Sequence, residues 1–582
     1  MLPIRLLICA LAALSLLPHA AHADDTDLRA PLERLAAVEQ GQPRPYNRVS
    51  ANELRQFYAH HGFLPVWQAP GRLDALLAQL EALRHDGLSP EDYGFDSLQH
   101  LPRPTAGGTL AACDDLLATA AYLQALMHLR VGKLDPAGVE PSWRFEGAQA
   151  DNREATRAAL VAAAAADIDD LAGAFERARP NLAQYRILRA ALTHFAQHPD
   201  TVWPTVPGGP TLRPGDTHAR VAALRTRLLA SGHLPADGGG LDAATPAGDA
   251  EAAAPSSADA LATSAAPAAM TPAAMTPADP ARFDDALLAA VVAFQHAHRL
   301  EGDGVVGPAT LAALNVPYAR RLAQLRVNLE RTRWLAREIL PTFVLVDVAG
   351  ARITYFRDGA EIWQARTQVG RPARPTPLLR SEITHFTLNP TWTIPPTILR
   401  KDKLPEIQRD IDYLARNRIR VLDYHGNELP PESVDWTRPG AVMLRQDAGP
   451  GNALGQVAIR FPNPFSVYLH DTPSQRLFAR DQRAFSSGCV RVEGAFGLVE
   501  HLIADFGDIT PERVRALRDS GRTRNLNLAR PVPILVAYWT AGADDEGRPV
   551  FRQDIYDHDE KLVRALDTKH PVLPDMRAAG CR

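Results

Sequence analysis

The sequence predicts a multidomain α+β chain: a helical N-terminal scaffold, a small three-helix unit broken by an insert, and a mostly-β C-terminal domain with a helical insertion. Three observations lead there. Apolar residues recur at helical spacing from Asp24 to about Gly209. A run of Ala, Pro, Asp, Gly and Thr then separates two halves of a second helical pattern. After Pro341 the texture changes to short β-branched and aromatic runs bounded by turn residues. The length, 582 residues, allows roughly three to four domains at about 150 residues each.

The first 23 residues read as an export signal. Arg5 supplies the positive region, Leu6 to Leu17 the apolar run, and Ala21-His22-Ala23 a small-x-small cleavage site. The run is short of the ~20 residues that span a bilayer, although an uncleaved anchor is the alternative. No later segment is apolar for long enough, so no stable membrane span is expected and the periplasm is the expected location. Cleavage would leave Cys113, Cys489 and Cys581. Cys113 and Cys581 could pair, but the simpler reading leaves both unpaired.

In the scaffold, residues 24–209, Leu54, Phe57 and Tyr58 follow i, i+3, i+4 spacing, and Leu73, Leu76, Leu77 and Leu80 continue it. Leu116 to Leu129 and the alanine-rich Thr156 to Ala166 are further helices. The region reads as helical throughout, with no cluster of titratable groups.

The second unit, residues 210–316, begins with Val221, Leu224, Leu228 and Leu229 on one helical face. It ends with Ala290-Val291, Phe294-Gln295, Asp303-Gly304 and Val306-Gly307-Pro308. Gly304 and Gly307 suit tight turns, and Pro308 the first turn of a helix. The insert between the halves, about 237–280, carries the tandem Ala-Ala-Met-Thr-Pro. Its composition cannot bury enough apolar surface to offset chain entropy, so a disordered loop is expected.

The β domain, residues 341–540, opens with the buried run Phe343 to Val348. Ile353 to Arg357 and Glu361 to Ala365 then flank Asp358-Gly359, a strong hairpin signal. Strand-like runs follow at Ile383 to Asn389, Ala458 to Phe461, Ser466 to His470 and Ile534 to Trp539. An insertion at about 401–445 carries Leu404, Ile407, Ile411 and Leu414 at helical spacing. A C-terminal extension occupies 541–582.

The chemistry concentrates between Val467 and Val492. A strand delivers His470 at its end, and the small-residue turn Ser486-Ser487-Gly488 presents Cys489. A thiol needs a base or a lowered pKa to act as a nucleophile, and an imidazole supplies either. Such a turn can also aim backbone N–H groups at a developing oxyanion. The near balance of 63 basic and 67 acidic residues leaves no electrostatic footprint for nucleic acid. The absence of His-Glu-x-x-His, and of cysteine pairs at ligand spacing, argues against a zinc hydrolase. No metal or cofactor is implied.

Taken together, His470 at a strand end and Ser486-Ser487-Gly488-Cys489-Val490-Arg491, 19 positions on to the cysteine, resemble the L,D-transpeptidase catalytic domain of YkuD type, in its large YcbB-like branch. Val369-Gly370-Arg371-Pro372-Ala373-Arg374-Pro375-Thr376-Pro377, Asn389-Pro390 with Trp392 and Ile394-Pro395-Pro396, and Gly449 to Gly455 add to the resemblance. The second unit similarly resembles the three-helix peptidoglycan-binding module of cell-wall enzymes, with the insert as a departure.

The resemblance implies a transpeptidase forming 3→3 cross-links between peptidoglycan stem peptides, with a tetrapeptide donor, a cysteine thioester and no cofactor. Cys489 would be the nucleophile and His470 its base. The Asp471 carbonyl would orient the imidazole, and the Gly488 and Cys489 N–H groups would form the oxyanion hole. Arg491 would meet acidic substrate groups or brace the loop. Many relatives carry His where this chain has Ser487, which leaves His470 as the base. Tyr468 and Trp392 would line the cleft or pack in a core, and the insertion would cap the site. Stem peptides, glycan and carbapenem inhibitors are the implied partners. The alternatives are an L,D-carboxypeptidase or endopeptidase using the same thiol, and a wall-binding protein without activity.

Overall fold

The computed structural model describes residues 27–40, 48–104, 110–140, 143–144, 149–198, 200–235, 279–544 and 547–568. The expected export segment, nearly all of the 237–280 insert, and Cys9 and Cys581 lie outside the described residues. Among those described, no helix is long and apolar enough to cross a membrane.

The scaffold forms the expected helices, including Ala51–His60, Arg72–Ala82, Ala112–Val131 and Gln149–Ala166. Ser50 and Glu53 close a capping box at the start of Ala51–His60, which satisfies N–H groups the first turn leaves unpaired. Leu54, Phe57, Tyr58, Leu73, Leu76 and Leu80 join one core, each contributing about 1.5–3 kcal/mol by leaving water.

Two expectations fail here. The scaffold does contain titratable clusters. Buried Asp86 pairs with Arg179 at 2.9 Å and Arg189 at 3.1 Å and accepts from the Tyr185 hydroxyl at 3.0 Å. Arg157 pairs with Glu53 at 2.6 Å. The partners lie about a hundred residues apart in sequence, beyond any local pattern. Cys113 is also disulfide-bonded rather than unpaired, whereas Cys489 is free.

The two halves of the interrupted unit fold together. Helices Ala219–Ala230, Asp285–Ala297 and Pro308–Leu314 bury Val221, Leu224, Leu228, Val291, Phe294 and Val306 in a common core. Gln295 ties the turn that follows. Its amide donates to Asp303 at 2.9 Å, and its carbonyl accepts the Gly304 N–H at 2.9 Å.

Helix Tyr318–Leu335 is polar in sequence yet buried along most of its length. Its polar groups find partners across unit boundaries. Arg333 donates to the Asp86 carbonyl at 2.8 Å, and Glu330 accepts the Leu134 N–H at 2.7 Å. Asn328 donates to the Thr540 hydroxyl at 2.7 Å. Buried polar groups persist when they are paired in this way.

The strands among the described residues are, in chain order, β1 (Trp143–Arg144), β2 (Phe343–Asp347), β3 (Arg352–Arg357), β4 (Ala360–Gly370), β5 (Leu378–Leu388), β6 (Trp392–Thr393), β7 (Ile419–Leu422), β8 (Glu428–Leu429), β9 (Met443–Gln446), β10 (Val457–Arg460), β11 (Leu469–His470), β12 (Ala484–Ser486), β13 (Val490–Val492), β14 (Arg524–Ala537), β15 (Ala541–Ala543) and β16 (Pro549–Phe551). The main sheet runs β5-β10-β11-β13-β4-β3-β2-β14 and closes through β14 against β5. β1, from the otherwise helical scaffold, pairs parallel with the start of β5.

The insertion carries the expected apolar face: Ile407 and Leu414 are buried in its core, with Leu404 and Ile411 packed against it. It is not helical throughout. β6, β9, β7 and β8 form an antiparallel sheet beside the short helices. The helical stretch from Pro396 to Arg409 contains a π-helical turn at Leu399–Lys403, where the Leu404 N–H donates to the Leu399 carbonyl. Pro405 has no N–H for the Lys401 carbonyl, so the usual ladder is broken there.

Candidate active site

β11 and β13 run parallel, with Leu469 opposite Val490 and His470 opposite Arg491. The same register sets Tyr468 beside Cys489, and the Val490 N–H donates to the Tyr468 carbonyl at 3.1 Å. Side chains alternate along a strand. Tyr468, His470, Cys489 and Arg491 therefore share one face, while Leu469, Val490 and Val492 enter the domain core. The insertion packs on the reactive face, where Ala458 and Tyr468 join its cluster with Trp392.

His470 is 5% exposed. Its Nδ1 lies 2.5 Å from the Asp471 carbonyl oxygen. A carbonyl only accepts, so Nδ1 carries the proton and the Nε2 lone pair is left to take one. The Asp471 carboxylate is engaged elsewhere, accepting from the Gln456 N–H at 2.9 Å and the Gln475 amide at 3.1 Å. Burial, then the Arg491 charge, bring the imidazole down to about 3, against the Asp471 hydrogen bond. Burial also pushes the half-buried Cys489 thiol up, against a backbone hydrogen bond from Tyr468 and the charges of Arg460 and Arg491. At neutral pH the resting pair is thus a neutral thiol and a neutral imidazole.

The turn before Cys489 is held from three sides. Gly488 has φ +115°, a conformation that disfavours any side chain. Its N–H donates to Ser486 Oγ at 3.1 Å, so in this resting state that amide is engaged and not free for an oxyanion. The Gly488 carbonyl accepts from Thr376 Oγ1 at 2.9 Å. The Thr376 N–H in turn donates to the Tyr556 hydroxyl at 3.1 Å, and that hydroxyl donates to the Gly370 carbonyl at 2.8 Å. Ser487 Oγ accepts from Arg374 at 2.8 Å. Arg374 also pairs with Asp402 of the insertion.

Sequence reasoning finds Cys489, His470, Asp471, Gly488, Ser487, Arg491 and Tyr468, and the fold gathers them around one turn. Trp392, 9% exposed, sits in the core of the insertion rather than on an open wall. Arg491 braces the strands, donating to Gln368 at 3.1 Å, and burial lowers its pKa. Five neighbours received no role from sequence: Arg374, Thr376, Asp402, Arg460 and Tyr556. Arg374 and Thr376 lie inside a motif that could have flagged them; the other three lie outside every motif that suggested a role. Among the described residues no group of three or more His, Cys, Asp or Glu is placed to hold a metal ion.

Residues 341–503 match the family described as L,D-transpeptidase catalytic domain (YkuD). Residues 274–314 match "Putative peptidoglycan binding domain" and residues 52–192 the Scaffold domain. A curated Haemophilus influenzae protein named "Putative L,D-transpeptidase" is 33% identical over 245 residues, 41% of this chain and 48% of the relative. The chain thus spans about half the length of that relative. Among solved structures, an L,D-transpeptidase from Mycobacterium smegmatis is 14% identical over 34% of this chain and 58% of its own, at TM-score 0.16. The L,D-transpeptidase from Xylanimonas cellulosilytica is 16% identical over 57% of this chain and 98% of its own, at TM-score 0.14. From the family matches, the chain carries a YkuD-type L,D-transpeptidase catalytic domain together with a peptidoglycan-binding domain.

Proposed function

We propose that the protein is an exported enzyme of the periplasm that forms 3→3 cross-links between peptidoglycan stem peptides through a thioester on Cys489. The observation that carries the reading is the register of β11 against β13. It places a neutral His470, with Nε2 free to take a proton, on the strand beside the thiol. Cys489 attacks the carbonyl of the third residue of a tetrapeptide donor as His470 takes the thiol proton. That proton passes to the leaving amine of the fourth residue. The amine of an acceptor stem then attacks the thioester, and the thiol is regenerated. Backbone N–H groups of the Gly488-Cys489 turn would stabilise the oxyanion, with Gly488 exchanging its Ser486 partner for it. The peptidoglycan-binding module would hold the glycan.

The same thioester yields trimmed tripeptide if water replaces the amine, so an L,D-carboxypeptidase is the competing outcome. The cap formed by the insertion favours transfer, because it covers the reactive face and limits water. Intact mass spectrometry with a disaccharide-tetrapeptide, with and without an acceptor, tests the reading. An acyl adduct on Cys489 and a cross-linked dimer are expected, and Cys489→Ala should give neither. A carbapenem should add one covalent mass to the Cys489 peptide. Product formation by Cys489→Ala would overturn the assignment.

A further inference from the structure

The closed sheet sets a second polar row beside the one that holds His470. β5 pairs with β10 so that His385 faces Arg460. The antiparallel register of β10 and β11, with Ile459 opposite Leu469, puts Arg460 beside Tyr468. The parallel register with β13 puts Tyr468 beside Cys489. On the far side Asn527 of β14 faces His385. One face thus carries the row Asn527, His385, Arg460, Tyr468, Cys489, parallel to the row Thr387, Ala458, His470, Arg491, Gln368.

Arg460 is set apart from the other arginines around the site. Arg366, Arg374 and Arg380 each pair with a carboxylate. Among the described residues neither Arg460 nor Arg491 has a carboxylate at ion-pair distance. Arg491, also half-buried, is braced by Gln368. Arg460 is half-buried, and its guanidinium lies 4.0 Å over the Tyr468 ring. The ring fixes the cation in place without neutralising it. A half-buried cation of this kind, preorganised and without a carboxylate partner, favours an anion, and a guanidinium matches a carboxylate with two hydrogen bonds.

We propose that Arg460 is a specificity-determining residue that binds a free carboxylate of the acyl-donor peptide, on the acyl-donating residue or the one before it. The proposal rests on the transpeptidase reading and names the donor class: an anionic peptide, discriminated from its carboxamide counterpart. The reach is consistent. Arg460 stands two strands from Cys489, about 10 Å at the backbone, and leans over the intervening ring. One or two peptide residues span about 3.5–7 Å, and a side chain covers the remainder. Tyr468 remains a protonated phenol, because burial and then the neighbouring Cys489 push its pKa well up. It therefore adds no competing negative charge.

The test measures binding apart from turnover. Tetrapeptide donors are prepared in two pairs, one differing only in a free carboxylate or a carboxamide on the third residue, the other only in that change on the second. Their affinities for full-length Cys489→Ala protein are measured by calorimetry, with and without the added change Arg460→Gln. The free-acid donor should bind roughly ten- to a hundredfold tighter than the carboxamide, as expected for loss of a charge-assisted pair. Arg460→Gln should erase that preference and leave carboxamide binding unchanged. Equal affinities within both pairs in the Arg460 protein would overturn the proposal, as would an equal loss for acid and carboxamide donors in Arg460→Gln, which is what a prop for Tyr468 would give. Turnover by the unmodified protein is followed separately. Absence of product there would count against the transpeptidase reading, whichever way the affinity ratio falls.

Discussion

The neutral resting pair of Cys489 and His470 makes a prediction that separates general-base catalysis from a preformed ion pair. Burial pushes the Cys489 thiol above its ordinary value. A thiol raised in this way is overwhelmingly protonated at pH 7. His470, down to about 3, is almost wholly neutral at the same pH and supplies no imidazolium to draw out the thiolate. Alkylation of Cys489 by iodoacetamide should therefore climb about tenfold per pH unit between about pH 6 and 9, following the thiolate. His470→Ala should keep that slope. The same variant should lose ~10²–10⁴-fold in acylation by a donor peptide, because proton transfer helps only when a carbonyl is attacked. The assay is alkylation rate by intact mass against pH, for both proteins, beside single-turnover acylation. A plateau in alkylation below pH 7 that disappears in His470→Ala would refute the argument, since it would show a thiolate–imidazolium pair at rest.

Three further outcomes follow from the packing around the site. Asp402→Ala removes the carboxylate that holds Arg374 against Ser487; the pair is part-exposed and worth at most about 1 kcal/mol of stability, so acylation should slow several-fold while thermal stability barely changes. Shortening the insertion across 401–445 should raise the ratio of trimmed tripeptide to dimer more than it slows acylation; an unchanged ratio in a folded protein would rule out a water-excluding cap. Acid should loosen the three-helix module. Burial takes His233 down to about 4, and takes His298 well below its ordinary value. Below about 6.5 the unfolded chain binds protons that these folded groups refuse. The stability they contribute is thus fully present above about 6.5 and is lost as the pH falls towards 4. Amide exchange across 206–235 and 279–316 should show that loss, and no change across this pH window would contradict it.

Much of the architecture was legible because its causes are local. Helical spacing at Leu54, Phe57 and Tyr58, the Asp358-Gly359 hairpin and the turn residues at Gly304 and Pro308 each act within a few positions. The small-residue turn at Ser486 to Gly488 similarly pointed to Cys489, and a strand end to His470. What stayed hidden depends on register and long-range pairing. No local pattern says that β11 lies parallel beside β13, yet that register alone sets His470 and Cys489 on one face. The insertion reads as helical because Leu404, Ile407, Ile411 and Leu414 mark a helical face, whereas β6 to β9 are two to four residues long and too short to show alternation. Asp86 with Arg179, Arg374 with Asp402, and Tyr556 with Thr376 join segments that are far apart in sequence. Thus the sequence by itself determined which residue types could do thiol chemistry and on which local turns they sit. Only the tertiary structure decided which of them meet, how deeply they are buried and therefore how they are charged, because burial and cross-strand neighbours depend on the closure of the whole sheet.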